Sequence, residues 1–164
     1  MNLDISIEAL WPTQTDWADL AEQAAEVTAQ ISPELANPRL SVSLLFADDA
    51  EVQTLNREWR AKDKPTNVLS FPMLERADLL ALTDKGGPEM LGDIAIALET
   101  CEREAAEKQI SLEHHLTHLL IHGLLHLAGY DHETSAEDAR EMEELEIKAL
   151  ALLAIADPYG DHDG

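Results

Sequence analysis

Six of the seven histidines fall between residues 114 and 132, in the run H-H-L-T-H-L-L-I-H-G-L-L-H-L-A-G-Y-D-H. Imidazole binds transition metals and moves protons near neutral pH, so chemistry is sought here first. His122 and His126 stand four apart. On a helix that spacing sets two side chains about 40° apart around the axis and roughly 6 Å along it, so both rings can face one ion. Gly129 lets the chain leave the helix in a left-handed conformation, and the turn Tyr130-Asp131 can bring His132 back toward the pair. Three neutral nitrogens from a helix and its following loop are the ligand supply of a catalytic zinc site, in which a water takes the fourth position with a pKa lowered to about 7. The expected ligands of one zinc ion are therefore His122, His126 and His132; nickel and cobalt also suit imidazole. His114, His115 and His118 read as the polar face of the same helix, with His118 lining the cleft, and His162 as irrelevant.

The spacing H-x-x-x-H-x-x-G-x-x-H is shared with the metzincin peptidases, which carry Glu directly after the first histidine as general base. Here that position is Gly123, which argues against peptide hydrolysis by that route. Asp131, next to a ligand, and His118, one turn before another, are the candidates for proton transfer or for orienting a histidine.

Charge sets a further condition. Eleven Lys and Arg stand against 33 Asp and Glu, a net charge of −22, so bulk attraction to a polyanion is excluded and an anionic substrate needs a local cationic site. Arg57, Arg60, Lys62 and Lys64 supply one within eight positions, beside Pro65-Thr66-Asn67. Arg grips phosphate bidentately and Lys adds a compact charge. Basic side chains also simply favour a helix C-terminus, so the cluster alone does not decide.

These groups need a scaffold, and 164 residues with 45% apolar content suffice for one domain with a real core. The single cysteine, Cys101, excludes an internal disulfide framework and a Cys-based zinc cluster, suits a reducing compartment, and reads as a small buried hydrophobe. No apolar run approaches the roughly 18 residues of a membrane span, and MNLDISIEAL lacks the features of a signal peptide, so a cytoplasmic protein with no membrane contact is expected. Alternation predicts strands over 3–10, 40–46, 68–71 and 91–98. Helical periods predict helices after Thr15, from Asp48 or Asp49 to Arg60, over 99–108, from a Ser111 cap to Ala128, and from a Thr134/Glu137 capping box to about Ala154. Residues 73–90 read as a long mobile loop. The expected fold is α+β, a mixed four-stranded sheet packed with about five helices. It spans one hydrolase domain at 1–155, with an acidic, disordered tail at 156–164.

Two blocks together resemble a known family. L-N-R-E-W-R-A-K-D-K-P-T-N-V-L-S-F-P at 55–72 and H-G-L-L-H-L-A-G-Y-D-H at 122–132 are similar to the signatures of the YbeY family of bacterial endoribonucleases and rRNA maturation factors, and L-G-D-I-A-I at 91–96 resembles the strand between them. The resemblance implies a zincin-like domain with one zinc held by His122, His126 and His132, and with Arg60 as the functional arginine of the cleft. It implies cleavage of single-stranded RNA, processing of the small-subunit rRNA 3′ end and ribosome quality control. Ala61 departs from the glycine often found after that arginine. Given the charge, a small-subunit ribosomal protein or an assembly GTPase is an expected partner. Two alternatives stand beside this reading. One is a non-catalytic assembly factor with a structural metal, for which the ten acidic and two basic residues from Glu133 to Gly164 offer a docking surface. The other is a zinc peptidase-like hydrolase.

Overall fold

Period-two alternation builds the centre of the molecule. The structure, a computed structural model, describes residues 1–131 and 135–159. Strands β1 (Asn2–Ile7), β2 (Leu40–Ala47), β3 (Val68–Pro72) and β4 (Glu89–Ala97) form one sheet in the order β1-β2-β4-β3. β1, β2 and β4 run parallel, and the edge strand β3 runs antiparallel to β4. Among the described residues six α-helices surround this mixed sheet: α1 (Trp17–Ile31), α2 (Asp49–Arg60), α3 (Arg76–Ala81), α4 (Leu98–Lys108), α5 (Leu112–Leu127) and α6 (Ala136–Leu152).

The two faces of the sheet are used differently. Val42, Leu44, Phe46, Ile94 and Ile96 join the main core with α1, α5 and α6. On the other face Leu69, Ala95 and Ala97 form a smaller cluster under Val52 and Leu55 of α2. α5 is apolar nearly all round because it is the central helix, buried between the sheet, α1, α4 and α6. No helix among the described residues is long and apolar enough to cross a membrane.

Several boundaries differ from the sequence reading. The side chain that caps α1 is Asp16, which accepts from the Asp19 amide at 3.0 Å, and not Thr15. α3 forms inside the expected loop 73–90, with Leu79 buried beneath it. β4 starts two residues earlier than expected and ends at Ala97, with Leu98 opening α4. Pro72 closes β3 rather than stopping it, which an edge strand tolerates. Ser135 caps α6 through the Asp138 amide at 3.0 Å; Thr134 lies outside the described residues. The first part of the expected tail is placed, with Tyr159 bonded to the body of the protein, while 160–164 lie outside the described residues.

One network fixes where β3 begins. The Asn67 carbonyl accepts from the Ala97 amide at 3.0 Å, and its side chain donates to Glu104 Oε1 of α4 at 3.0 Å. Glu104 Oε1 also lies 2.9 Å from Nε2 of His115 on α5. His115 is 1% exposed, so it belongs to the interior and not to the polar face expected of it; of the three histidines given that face, only His114 is exposed. Cys101 is fully buried, and desolvation pushes its thiol well above the ordinary range, as befits a core residue.

Burial lowers the His115 pKa, against the opposing pull of Glu104, and its buried Nδ1 has no hydrogen-bond partner among the described residues. Burial raises the Glu104 pKa, but the hydrogen bonds from His115 and Asn67 outweigh it and lower the carboxyl overall. Both groups therefore hold fewer protons when folded than when unfolded, and their stabilisation is lost as pH falls, His115 first. Chemical denaturation of the metal-free protein should show stability falling between about pH 7 and about pH 5. His115→Gln, which keeps a donor to Glu104 but cannot titrate, should flatten that slope; an equally steep slope in the variant would refute the assignment.

Candidate metal centre

The tightness of the packing between α5 and the sheet is set at Gly123. A Cβ at this position would lie 3.1 Å from Ile94 Cδ1, so Gly123 faces β4 and a long side chain there would have to enter the core. The flanking positions carry His122 and His126, both partly exposed beside the buried stripe. Past the helix, Gly129 takes φ +101°, and a Cβ there would come within 2.6 Å of Arg76 Cβ. The left-handed exit expected at this glycine is thus present, and the close approach adds a second reason for it.

Each histidine of the pair is held through Nδ1. His122 Nδ1 lies 2.8 Å from Glu146 Oε2, and His126 Nδ1 lies 2.6 Å from Ser70 Oγ on β3. Such contacts fix ring orientation, so coordination by either residue would use Nε2. Glu146 comes from α6 and is 1% exposed. Its other oxygen, Oε1, accepts from Tyr159 Oη at 2.6 Å and lies 2.6 Å from His118 Nε2. Burial alone would raise this carboxyl, but the hydrogen bonds from His118 and His122 prevail and hold it at about 2. Burial, then the Glu146 carboxylate, push the Tyr159 phenol upward, so it serves as a donor.

His118 does not border the groove beside His126; it borders a separate hollow with His114, His115 and Tyr159. It is 8% exposed, packed edge-on against the Tyr159 ring at 5.4 Å and hydrogen-bonded to Glu146. Asp131 is exposed and borders an open groove of about 490 Å³ shared with His126, Arg76 and Tyr130. Arg76 ties the chain after β3 to the turn after α5: it donates to Ala128 O at 2.7 Å, pairs with Glu34 at 2.9 Å and lies over the Tyr130 ring at 4.4 Å. His132 lies outside the described residues, and among those described no group of three or more metal-ligating side chains comes together.

The basic segment is placed elsewhere. Arg57, Arg60, Lys62 and Lys64 are all exposed around the C-terminus of α2, on the sheet face opposite α5, with Arg57 3.7 Å from Asp63. The two regions meet at the edge strand, where Pro72 and Met73 border both the groove beside His126 and a hollow under Trp59. Ala61, which follows Arg60, ends α2 in the left-handed conformation at φ 57° and ψ 29°, the conformation glycine adopts without strain.

Glu146, Ser70, Tyr159 and Arg76 were not singled out from the sequence. Glu146 had a signal, because it interrupts the apolar stripe Met142, Ala149, Leu150 of α6 at helical spacing. Ser70 had one too, as a polar residue on the α5-facing side of β3.

The family described as Endoribonuclease YbeY matches residues 6–154. The chain belongs to that family. A relative named Endoribonuclease YbeY from Erythrobacter litoralis is 61% identical over 161 residues, covering 98% of this chain and 99% of the relative. Another of the same name from Novosphingobium aromaticivorans is 58% identical over 162 residues, covering 98% and 97%. The solution structure of TM1509 from Thermotoga maritima superposes with a TM-score of 0.59 at 26% identity, covering 93% of this chain and 91% of that one. The resemblance carried by the 55–72 and 122–132 blocks thus extends over nearly the whole chain.

The buried carboxylate leads to a stability prediction. Glu146→Leu strips the acceptor from His118, His122 and Tyr159 and should cost about 3–5 kcal/mol in urea unfolding of the metal-free protein. Tyr159→Phe removes one hydrogen bond of three and should cost about 1 kcal/mol. Equal losses in the two variants would show that Glu146 is not the hub. At the basic segment, Ala61→Gly should relieve left-handed strain and raise stability by about 1 kcal/mol in the same assay.

Proposed function

We propose that this chain is a metal-dependent endoribonuclease, specific for single strands, that acts in rRNA processing at the 3′ end of 16S rRNA and in ribosome quality control. The observation that carries the reading is the histidine pair of α5, each ring fixed through Nδ1, in a chain of the endoribonuclease YbeY family. Two imidazoles held through Nδ1, one by the buried Glu146 and the other by the half-buried Ser70, fit a zinc site, and His132 is the third ligand by motif. When bound, the zinc ion supplies Lewis-acid stabilisation at the scissile phosphate.

The chain's own residues supply the rest. Glu146 and Ser70 hold His122 and His126 in the orientation that coordination needs. His118 acts through Glu146 as a positioning residue and does not reach substrate. Asp131, exposed on the groove beside His126, is the carboxylate placed to take or return a proton. Arg60, with Arg57, Lys62 and Lys64, binds the phosphates of the strand where it passes the edge of the sheet. Only a flexible single strand can follow a path from one sheet face to the other around β3. The exposed acidic side of α6 repels RNA, which favours delivery by a small-subunit ribosomal protein or an assembly GTPase in the cytoplasm.

The peptidase alternative loses further ground, because a general-base side chain at position 123 would run into Ile94. The assembly-factor alternative is separated by experiment. His126→Ala should abolish cleavage of single-stranded RNA and release zinc on dialysis, and chelation should do the same to the wild type. Arg60→Glu should keep zinc and a native circular-dichroism spectrum while cleavage falls at least tenfold. Normal 16S rRNA maturation in cells carrying Arg60→Glu would leave only the scaffold role.

A further inference from the structure

The sheet face turned away from α5 carries a second hollow, of about 490 Å³, roofed only at one end by α2. Its floor holds a polar cross-strand row beside the row Ser6, Leu45 and Ala95. Asp4 pairs with Ser43, Ser43 with Asp93 and Asp93 with Phe71, so these four side chains stand side by side on one face of the four strands. Among the described residues no hydrogen bond or ion pair engages the side chain of Asp4, Ser43 or Asp93. Above the row stands Trp59, 72% exposed, the most exposed large apolar side chain among the described residues. A tryptophan held out of the core costs solvation unless something planar covers it.

The chemistry of this hollow selects its occupant. Aromatic surface suits the flat face of a ring, and two unpaired carboxylates with a hydroxyl demand donors on that ring's edge. The carboxylates repel phosphate from the floor, whereas Arg60, directly after Trp59, and the neighbouring cations attract it at the rim. A basic peptide would meet the opposite pattern and be repelled at the rim. The object with apolar faces, a donor edge and an anionic tether is a nucleotide. Guanine presents two parallel N–H donors to one carboxylate, and uracil presents one. Pro72 and Met73, shared with the groove beside His126, put this hollow next to the candidate cleavage site.

We propose that the hollow formed by Trp59, Phe71 and the Asp4–Ser43–Asp93 row is a nucleobase subsite, selective for guanine, that seats a base flanking the bond to be cut. The proposal rests on the single-stranded RNA reading above and adds a sequence preference to it.

The test uses the full chain in chelator, to prevent cleavage, and two eight-nucleotide probes, oligouridylate and the same strand carrying one guanosine. The guanosine strand should bind about tenfold tighter and quench tryptophan emission, and because Trp11 and Trp17 are buried the quench reports Trp59. Trp59→Ala should remove the quench and weaken both probes about tenfold. Asp93→Asn should erase the guanosine preference while keeping oligouridylate affinity. Equal affinity for both probes, or wild-type behaviour of both variants in a protein that still cleaves RNA when metal is restored, overturns the subsite alone. Tighter binding of a lysine-rich peptide, lost in Asp93→Asn, overturns it in favour of a protein partner. Absence of any binding and cleavage of single-stranded RNA overturns the endoribonuclease reading and the subsite together.

Discussion

A carboxylate shielded from water must either gather donors or surrender its charge, and Glu146 gathers three. That requirement organises the C-terminal half of the molecule. The donors on α5 are one helical turn apart, at His118 and His122, so the two carboxylate oxygens can be satisfied only at one rotation of α6 about its axis. Tyr159 supplies the third donor, which folds the chain beyond α6 back over the same spot. Two apolar side chains would hold α5 and α6 together at least as strongly, since buried charge is a poor source of stability. What apolar contacts cannot do is orient an imidazole, and that is what this arrangement accomplishes for His122.

The second histidine is oriented from the other side, and the support is correspondingly different. Ser70 reaches His126 only because β3 is held at a fixed height along β4. Asn67 sets its start through Ala97 and Glu104, and Gly92 sets its end, since a Cβ there would lie 2.5 Å from the Phe71 carbonyl oxygen. Beyond the strand, Arg76 clamps the returning chain to the Gly129 turn. The pair is thus aimed by two independent structures, a helix on one flank and an edge strand on the other, with α5 pressed onto Ile94 between them.

Much of this was legible in the residues alone. Alternation located the four strands, the Ser111 cap and Gly129 located α5, and four-residue spacing identified the histidine pair. The hidden parts share a physical cause: their role depends on what lies opposite in space. Glu146 is one acid in a helix full of them, and charge composition treats it as solvated surface until Met142 and Leu150 are seen to flank it in the core. His115 and His118 read as polar for the same reason. α3 has six residues, too few for a helical period to stand out from the glycine- and proline-rich stretch around it. Asp16 and Thr15 are both good caps, and only the backbone angles at the turn choose between them.

The net charge of −22 is compatible with a polyanionic substrate because electrostatics in salt is a local matter. At physiological ionic strength the Debye length is about 8 Å, so acids on the far side of α6 hardly register at the end of α2. What a phosphate senses there is Arg57, Arg60, Lys62 and Lys64, with Asp63 as the nearest opposing charge. Long-range attraction is nevertheless missing, and it is long-range attraction that accelerates encounter between a basic protein and RNA. On the proposed reading, binding strength must then come from short-range contacts, base stacking and hydrogen bonds among them, that form only after the strand has arrived. Such a surface holds a strand presented to it by another particle far better than it captures one from solution, and it discriminates among strands by their bases more than by their charge.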